Sequence, residues 1–158
     1  MGKIRSATPD EAYPRLETER LTLRALRMGD AGFVFREWGD PIVTFYMWDE
    51  DPLQTLEQAE EMLRPLQTPD VMPNFKWWGI ESRTEGALIG TCGYCRWDRQ
   101  HGRAEIGYDL WPKYWGQGLM PEALQALLHY GYQEMGLNRI EATTHTENLR
   151  SQRVLEKL

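Results

Sequence analysis

The chain has 158 residues, with 18 basic and 24 acidic side chains and a net charge of −6. That length suits one domain with a sizeable core, and the acidic balance argues against a general nucleic-acid binder, which needs a basic face. No apolar run approaches the ~20 residues of a membrane span, and the N-terminus lacks the apolar segment of a signal peptide, so no membrane partner and a cytoplasmic location are expected.

Residues 1–14 read as a flexible leader and 15–158 as the single domain. Leu21, Leu23 and Ala25 alternate with Thr22 and Arg24, which predicts a strand over 20–26. Gly29-Asp30 breaks it, and Asp30 is a candidate N-cap for a helix over 31–38. Asp40-Pro41 marks a second helix start, because proline suits the first helical position. Phe45, Tyr46, Trp48 and nearby Trp38 either pack a core, the favoured reading, or line a substrate pocket. Thr55-Leu-Glu-Gln58 has the form of a capping box, so a helix is expected to about Leu66. The segment 67–74 holds two prolines and reads as a loop.

Three strands follow, over 75–82, 87–97 and 103–110, joined by turns at Arg83–Gly86 and Asp98–Gly102. Short turns between consecutive strands make an antiparallel meander. Cys92 and Cys95 have a spacing that invites a metal or redox reading. On a strand, however, they have opposite parity and point to opposite faces, and no second pair exists to complete a zinc site, so both are expected to be free thiols and no metal is expected. Leu124, Leu127, Leu128, Gly131, Tyr132 and Met135 keep helical spacing, which predicts a helix over 121–135 with Gly136 just past its end. A strand over 137–144 then lies parallel beside 103–110 through a right-handed crossover. Asn148 caps a last helix over 149–158.

The stretch Arg103 to Met135 organises the rest. It runs from a strand through a loop with glycines at 116 and 118 into a long helix. That order aims several backbone N–H groups and the positive end of a helix at one spot, where an anion fits. The spacing matches neither a Walker loop nor a dinucleotide fingerprint; from spacing alone, a tight turn is an equal reading. Three segments together are more specific. Glu105-Ile-Gly-Tyr, then Tyr114-Trp-Gly-Gln-Gly-Leu-Met-Pro-Glu-Ala, then Asn148-Leu-Arg-Ser-Gln-Arg-Val-Leu-Glu-Lys-Leu158 resemble the GNAT superfamily of acetyltransferases. Leu16-Glu-Thr-Glu-Arg-Leu-Thr-Leu-Arg resembles the first strand of its ribosomal-protein N-terminal acetyltransferase branch.

The resemblance implies an α/β fold with a mixed, mostly antiparallel twisted sheet and helices on both faces. It implies direct transfer of acetyl from acetyl-CoA to a primary amine, most readily a protein N-terminus. A small amine such as a polyamine or an antibiotic is the alternative acceptor, and a non-catalytic CoA-binding regulatory domain is the alternative of another class. The implied pyrophosphate donors are the N–H groups of Trp115, Gly116, Gln117, Gly118, Leu119 and Met120. Trp115 stands where the family carries Arg or Gln, and Met120 where it carries Gly or Ala; Lys113, Arg150 and Arg153 are candidates to replace the charge. N–H groups near Asp109 to Trp111, Leu110 among them, are implied for the thioester carbonyl. The resemblance also implies that Asn148 binds the cofactor or the acceptor backbone, and that Ser151 touches the cofactor and donates a proton to the leaving thiolate. Glu105 is the first candidate base, and His145, which titrates in the useful range when unperturbed, is the second. The family continues past Glu-Lys-Leu158 with further strands, so a C-terminal strand is expected to be missing here, and the open edge of the 137–144 strand is expected to favour a homodimer.

Overall fold

The computed structural model describes residues 9–47, 51–68 and 71–158. Trp48 lies outside them. One six-stranded sheet runs in sequence order. Its strands are β1 (Leu16–Glu17), β2 (Leu21–Ala25), β3 (Lys76–Ser82), β4 (Ala87–Asp98), β5 (Arg103–Leu110) and β6 (Arg139–Glu141). The first five pair antiparallel, and β6 lies parallel to β5. The helices are α1 (Pro9–Ala12), α2 (Ala31–Trp38), α3 (Pro41–Thr44), α4 (Leu56–Leu63), α5 (Leu119–Gln133) and α6 (Leu149–Leu155). No helix among the described residues is long and apolar enough to cross a membrane.

The two neighbouring tryptophans of β3 define the two faces, because successive strand residues point to opposite sides. Trp78 is fully buried between Tyr13 and Tyr130, whose rings meet it edge-on at 5.6 and 5.5 Å. On this face α5 is drawn close to the sheet: the Tyr94 hydroxyl donates to the Leu127 carbonyl at 2.6 Å. Gly131 makes that approach possible, since a Cβ there would meet the same hydroxyl. Trp77 faces the other way, toward α2 and α4. It stacks on Phe75 at 5.1 Å and donates its indole N–H to Thr91 Oγ1 at 2.8 Å. The ring crosses two strand glycines: a Cβ at Gly107 would come within 2.6 Å of it, and one at Gly93 within 2.7 Å.

Local chemistry sets most boundaries. Asp40 accepts the Ile42 N–H at 2.8 Å with Pro41 at the first position of α3. Thr55 and Gln58 form the expected capping box, and a 3-10 turn over Arg64–Gln67 carries the helix toward its predicted end. Gly136, at φ +68°, closes α5 with the Leu137 N–H on the Gly131 carbonyl at 3.0 Å.

Four expectations change. Asp30 does not cap α2: a 3-10 turn leads directly into the helix, so residue 30 is itself near-helical (φ −85°, ψ −2°). Its carboxylate instead takes both Arg24 terminal nitrogens at 2.9 and 3.0 Å, a bidentate pair stronger than a cap. Residues 9–14, expected as leader, pack on the sheet: Tyr13 is buried and the Pro14 carbonyl accepts the Trp78 indole N–H at 3.0 Å. The strand expected over 137–144 shrinks to Arg139–Glu141, the only part that runs beside β5. The last helix stops at Leu155 and finishes in tight turns, with Lys157 and Leu158 N–H groups on the carbonyls of Val154 and Leu155 at 3.2 Å. Cys92 and Cys95 are both free; the first is buried and the second half-buried, its thiol donating to the Glu105 carbonyl at 3.5 Å. Burial, helped by the Asp109 charge, pushes the Cys92 thiol far up, which leaves it unreactive.

The Trp77 ring is pinned at its nitrogen and on one face, so it cannot step aside for a new methyl group. Gly107→Ala is expected to destabilise the fold by about 1–3 kcal/mol, read as a lower denaturation midpoint at unchanged m-value.

Candidate functional site

β6 pairs with β5 only at Arg103, Ala104 and Glu105. Beyond Glu105 the two strands part, and among the described residues the edge of β5 from Ile106 to Leu110 has no strand neighbour on that side. A cleft of about 550 Å³ opens there. The end of β5, the glycine loop, the first turn of α5 and α6 form three of its walls. The fourth is α3 and the residues after it, held across the gap by the Tyr46 hydroxyl on the Glu147 carbonyl at 3.2 Å.

One end of the cleft is built for an anion. Gly116 and Gly118 both have φ +74°, a left-handed conformation costly for other residues. Together they turn the loop so that α5 begins at Leu119 with its N-terminus facing the cleft. The first N–H to reach a carbonyl is that of Glu122, on Gly118 at 3.3 Å. Among the described residues, those of Gly116 to Met120 precede it and stay open. The loop is strapped on both sides. The Trp115 indole N–H donates to the Leu110 carbonyl at 2.7 Å, and the Arg150 guanidinium lies 3.5 Å over the Trp115 ring. Arg20 donates to the Gln117 carbonyl at 3.0 Å and to Glu122 at 2.6 Å. Burial works against the charge on Glu122, but the Thr18 hydroxyl and Arg20 outweigh it and hold this carboxyl below its usual range.

Both unusual motif residues have a place in this arrangement. Trp115 carries no charge but positions Arg150, which lines the cleft with Arg153 and Lys157. Met120 is 4% exposed and packs into the core. Lys113 instead pairs with Glu85 at 3.7 Å and does not line the cleft. Gln117 does not line the cleft and gives its carbonyl to Arg20, but the open N–H groups of Gly116, Gly118, Leu119 and Met120, with three cations on the same cleft, fit a pyrophosphate such as that of CoA.

At the other end stand Leu110, Asn148 and Ser151. Asn148 caps α6 by accepting the Ser151 N–H at 3.2 Å. The Ser151 hydroxyl lies 2.6 Å from that of Tyr108, a residue that its alternation with Ile106 and Leu110 marked only as core. Burial raises the Tyr108 phenol, and its bond to Ser151 opposes this. The Trp111 N–H, expected to be available to a carbonyl, is taken by Ile89 at 2.8 Å.

The two candidate bases lie elsewhere. Glu105 is bound to Arg96 at 2.6 Å and does not line the cleft. His145 sits on the loop before α6, where its Nδ1 accepts the Glu147 N–H at 3.1 Å and its ring lies 5.4 Å from that of Tyr46.

What the cleft does contain is Asp109, which is 7% exposed. Thr91 fixes it, donating its N–H at 3.1 Å and its hydroxyl at 2.7 Å. Beside it lies Glu37 of α2, which is fully buried. Both Glu37 carboxyl oxygens and the Trp38 indole N–H lack a partner at hydrogen-bond geometry among the described residues. Burial first, and then the Asp109 charge, push the Glu37 carboxyl well above its usual range, so it keeps its proton. Burial also raises Asp109, hydrogen bonds from Thr91 and the nearness of Glu37 and Trp38 pull it back, and it settles at about 6. Neither acid was legible in the sequence. Glu37 sits in a helix that reads as amphipathic, and Asp109 alternates out of an apolar strand.

A raised carboxyl is a stability liability at high pH. Below the unfolded pKa, near 4, both states hold these protons and nothing is lost. As pH rises through about 6 the unfolded chain has released protons that the fold retains, so stability falls. Glu37→Leu is therefore expected to stabilise the fold by about 1–3 kcal/mol at pH ~8 and by much less at pH ~4. Thermal melts across that range check it.

The family model described as an acetyltransferase (GNAT) domain matches residues 20–158. The uncharacterized N-acetyltransferase p20 of Bacillus licheniformis is 40% identical over 143 residues, covering 90% of this chain and 80% of that protein. A solved GNAT-family acetyltransferase of Bacillus anthracis superposes with a TM-score of 0.78 at 30% identity, over 90% of this chain and 81% of that one. The spermidine N-acetyltransferase of Vibrio cholerae, solved with CoA and spermine, has a TM-score of 0.77 at 23% identity, over 89% of this chain and 80% of that one, a likeness of fold. The ribosomal branch matches only in part: the ribosomal-protein-serine acetyltransferase of Escherichia coli is 37% identical over 70 residues, 44% of this chain.

Proposed function

The chain belongs to the GNAT acetyltransferase family, acetyl-CoA-dependent N-acetyltransferases, and we propose that its acceptor is the α-amino group of a peptide or protein. The observation that supports this acceptor is the charge of the cleft. Among the described residues that line it, Asp109 is the one acid, against Arg150, Arg153 and Lys157. A polyamine brings several ammonium groups, and each buried or half-buried one needs an anionic partner. A peptide N-terminus brings one charge. The wall formed by α3 and the residues after it is apolar or aromatic, from Ile42, Val43, Tyr46 and Met47, with Ile42 exposed at 60%. That surface suits the first side chains of a peptide.

In this reading the open N–H groups of Gly116, Gly118, Leu119 and Met120 and the three cations hold the CoA phosphates. Asn148 fixes Ser151, and the Tyr108–Ser151 hydroxyl pair supplies the proton that the leaving thiolate takes up.

Three outcomes are expected. Kinetics with a panel of peptides, spermidine and an aminoglycoside should give a peptide the highest kcat/KM by about tenfold or more. A higher value for spermidine would sink the acceptor assignment. Arg150→Ala should weaken acetyl-CoA binding about tenfold in calorimetric titration, and less at high salt. Tyr108→Phe should lower kcat about tenfold or more while leaving the KM for acetyl-CoA nearly unchanged.

A further inference from the structure

We propose that the Asp109–Glu37 carboxyl pair is the proton acceptor of the reaction: Asp109 takes the proton from the incoming ammonium group, and Glu37 holds Asp109 ready to do so. This rests on acetyl transfer at the cleft as read above, but not on which amine is used.

The geometry carries the assignment. Asp109 is the sole lining carboxylate among the described residues, and its strand neighbours Tyr108 and Leu110 line the same cleft. Its position is over-determined by Thr91, whose hydroxyl is in turn fixed by the Trp77 indole at 2.8 Å. Glu37 is buried with both oxygens unpaired, in contact with Asp109 and beside the unpaired Trp38 N–H. A buried carboxyl without partners is costly, and a fold that only needed packing here would carry an apolar side chain. Two coupled acids with one charge between them form a proton acceptor whose set point depends on both.

Every group facing the pair bears on that set point. From α2 come Glu37 and Trp38 and from β4 comes Thr91, with the Cys92 thiol near by on the opposite face of the sheet. The Tyr108 phenol is next to Asp109 on β5, and across the cleft are Tyr46, Arg150, Arg153 and Lys157. The elevated set point of Asp109 agrees with the role, since a base works best when it titrates near the working pH.

The protons balance. The ammonium group gives one proton to the Asp109 carboxylate, which returns it to solvent between turnovers. The neutral nitrogen attacks the thioester carbonyl carbon, the C–N bond forms and the C–S bond breaks. The sulfur leaves with the electron pair and takes a proton from the Tyr108–Ser151 hydroxyls. The second proton shed by the nitrogen replaces it.

The test uses the purified full chain with whichever amine it turns over fastest, so a failure of the peptide assignment shows in the wild type alone. Asp109→Asn is expected to lower kcat by about 100-fold or more, with acetyl-CoA affinity held within about twofold. Glu37→Leu removes the neutral carboxyl that lies against Asp109 and holds its titration down, so the acid limb of the kcat/KM profile should move to higher pH. Glu37→Gln keeps a neutral polar group in the same place and should restore the limb. Carboxyl carbon NMR of Asp109 gives a readout without turnover: its titration midpoint should move up in Glu37→Leu as well. Near-wild-type kcat in Asp109→Asn, an unmoved acid limb in Glu37→Leu, or Asp109 titrating in the ordinary carboxylate range would each overturn the proposal.

Discussion

The site depends on two hydrogen bonds from one threonine. Thr91 gives its N–H and its hydroxyl to Asp109 at 3.1 and 2.7 Å. Bonds to a charged group contribute about 1.5–3 kcal/mol each, enough to let one carboxylate ionise inside the sheet. Glu37 has no such bonds, so when the two acids compete for one charge it is Glu37 that stays neutral. The Thr91 hydroxyl can donate to Asp109 because it accepts from Trp77, and Trp77 lies across the sheet because Gly93 and Gly107 leave it room. A glycine in β5 thus governs an acid two residues away through a ring on β3.

The opposite face of the sheet sets the other half of the cleft. Gly131 and Tyr94 bring α5 against β4. Arg20 and Glu122 tie the first turn of α5 to the chain just before β2. With the helix anchored at both places, its open N–H groups point past the end of β5. The gap itself comes from a pairing that stops: β6 follows β5 for three residues and then leaves. Had the strand continued to Thr144, as expected, hydrogen bonds would have closed the edge of β5 along which the cleft opens.

The sequence carried most of the fold because the signals were local. A capping box, a proline after aspartate, a glycine past a helix end and strict alternation each act over a few residues. The anion cradle was legible for the same reason, since Gly116 and Gly118 encode their own backbone angles. The acid pair was not. Glu105 has the residue type expected of a base and lies on the same strand, four positions from Asp109, yet it pairs with Arg96 and does not line the cleft. Asp109 and Glu37 lie 72 positions apart in sequence, and only the packing of α2 on the sheet makes them neighbours. Tyr108 likewise read as core until α6 placed Ser151 against its hydroxyl. Local rules find elements and loops; chemistry that depends on two distant segments needs the fold.

The acid pair also bears on which amine is served. An α-amino group titrates near 8 and an alkylamine near 10.4. Handing a proton to a carboxylate at about 6 is then uphill by about 2 units for a peptide N-terminus and about 4 for a lysine or polyamine. At ~1.36 kcal/mol per unit, the difference is roughly 3 kcal/mol, or more than a hundredfold in the population of attack-competent amine. A higher set point on Asp109 would narrow that gap in driving force, but less of the carboxylate would be ionised at neutral pH. Glu37, held neutral against Asp109, keeps the set point low enough for the base to be charged and high enough to accept from an α-amine. The selectivity argued from the scarcity of carboxylates on the cleft wall and the selectivity argued from proton transfer to Asp109 point to the same acceptor.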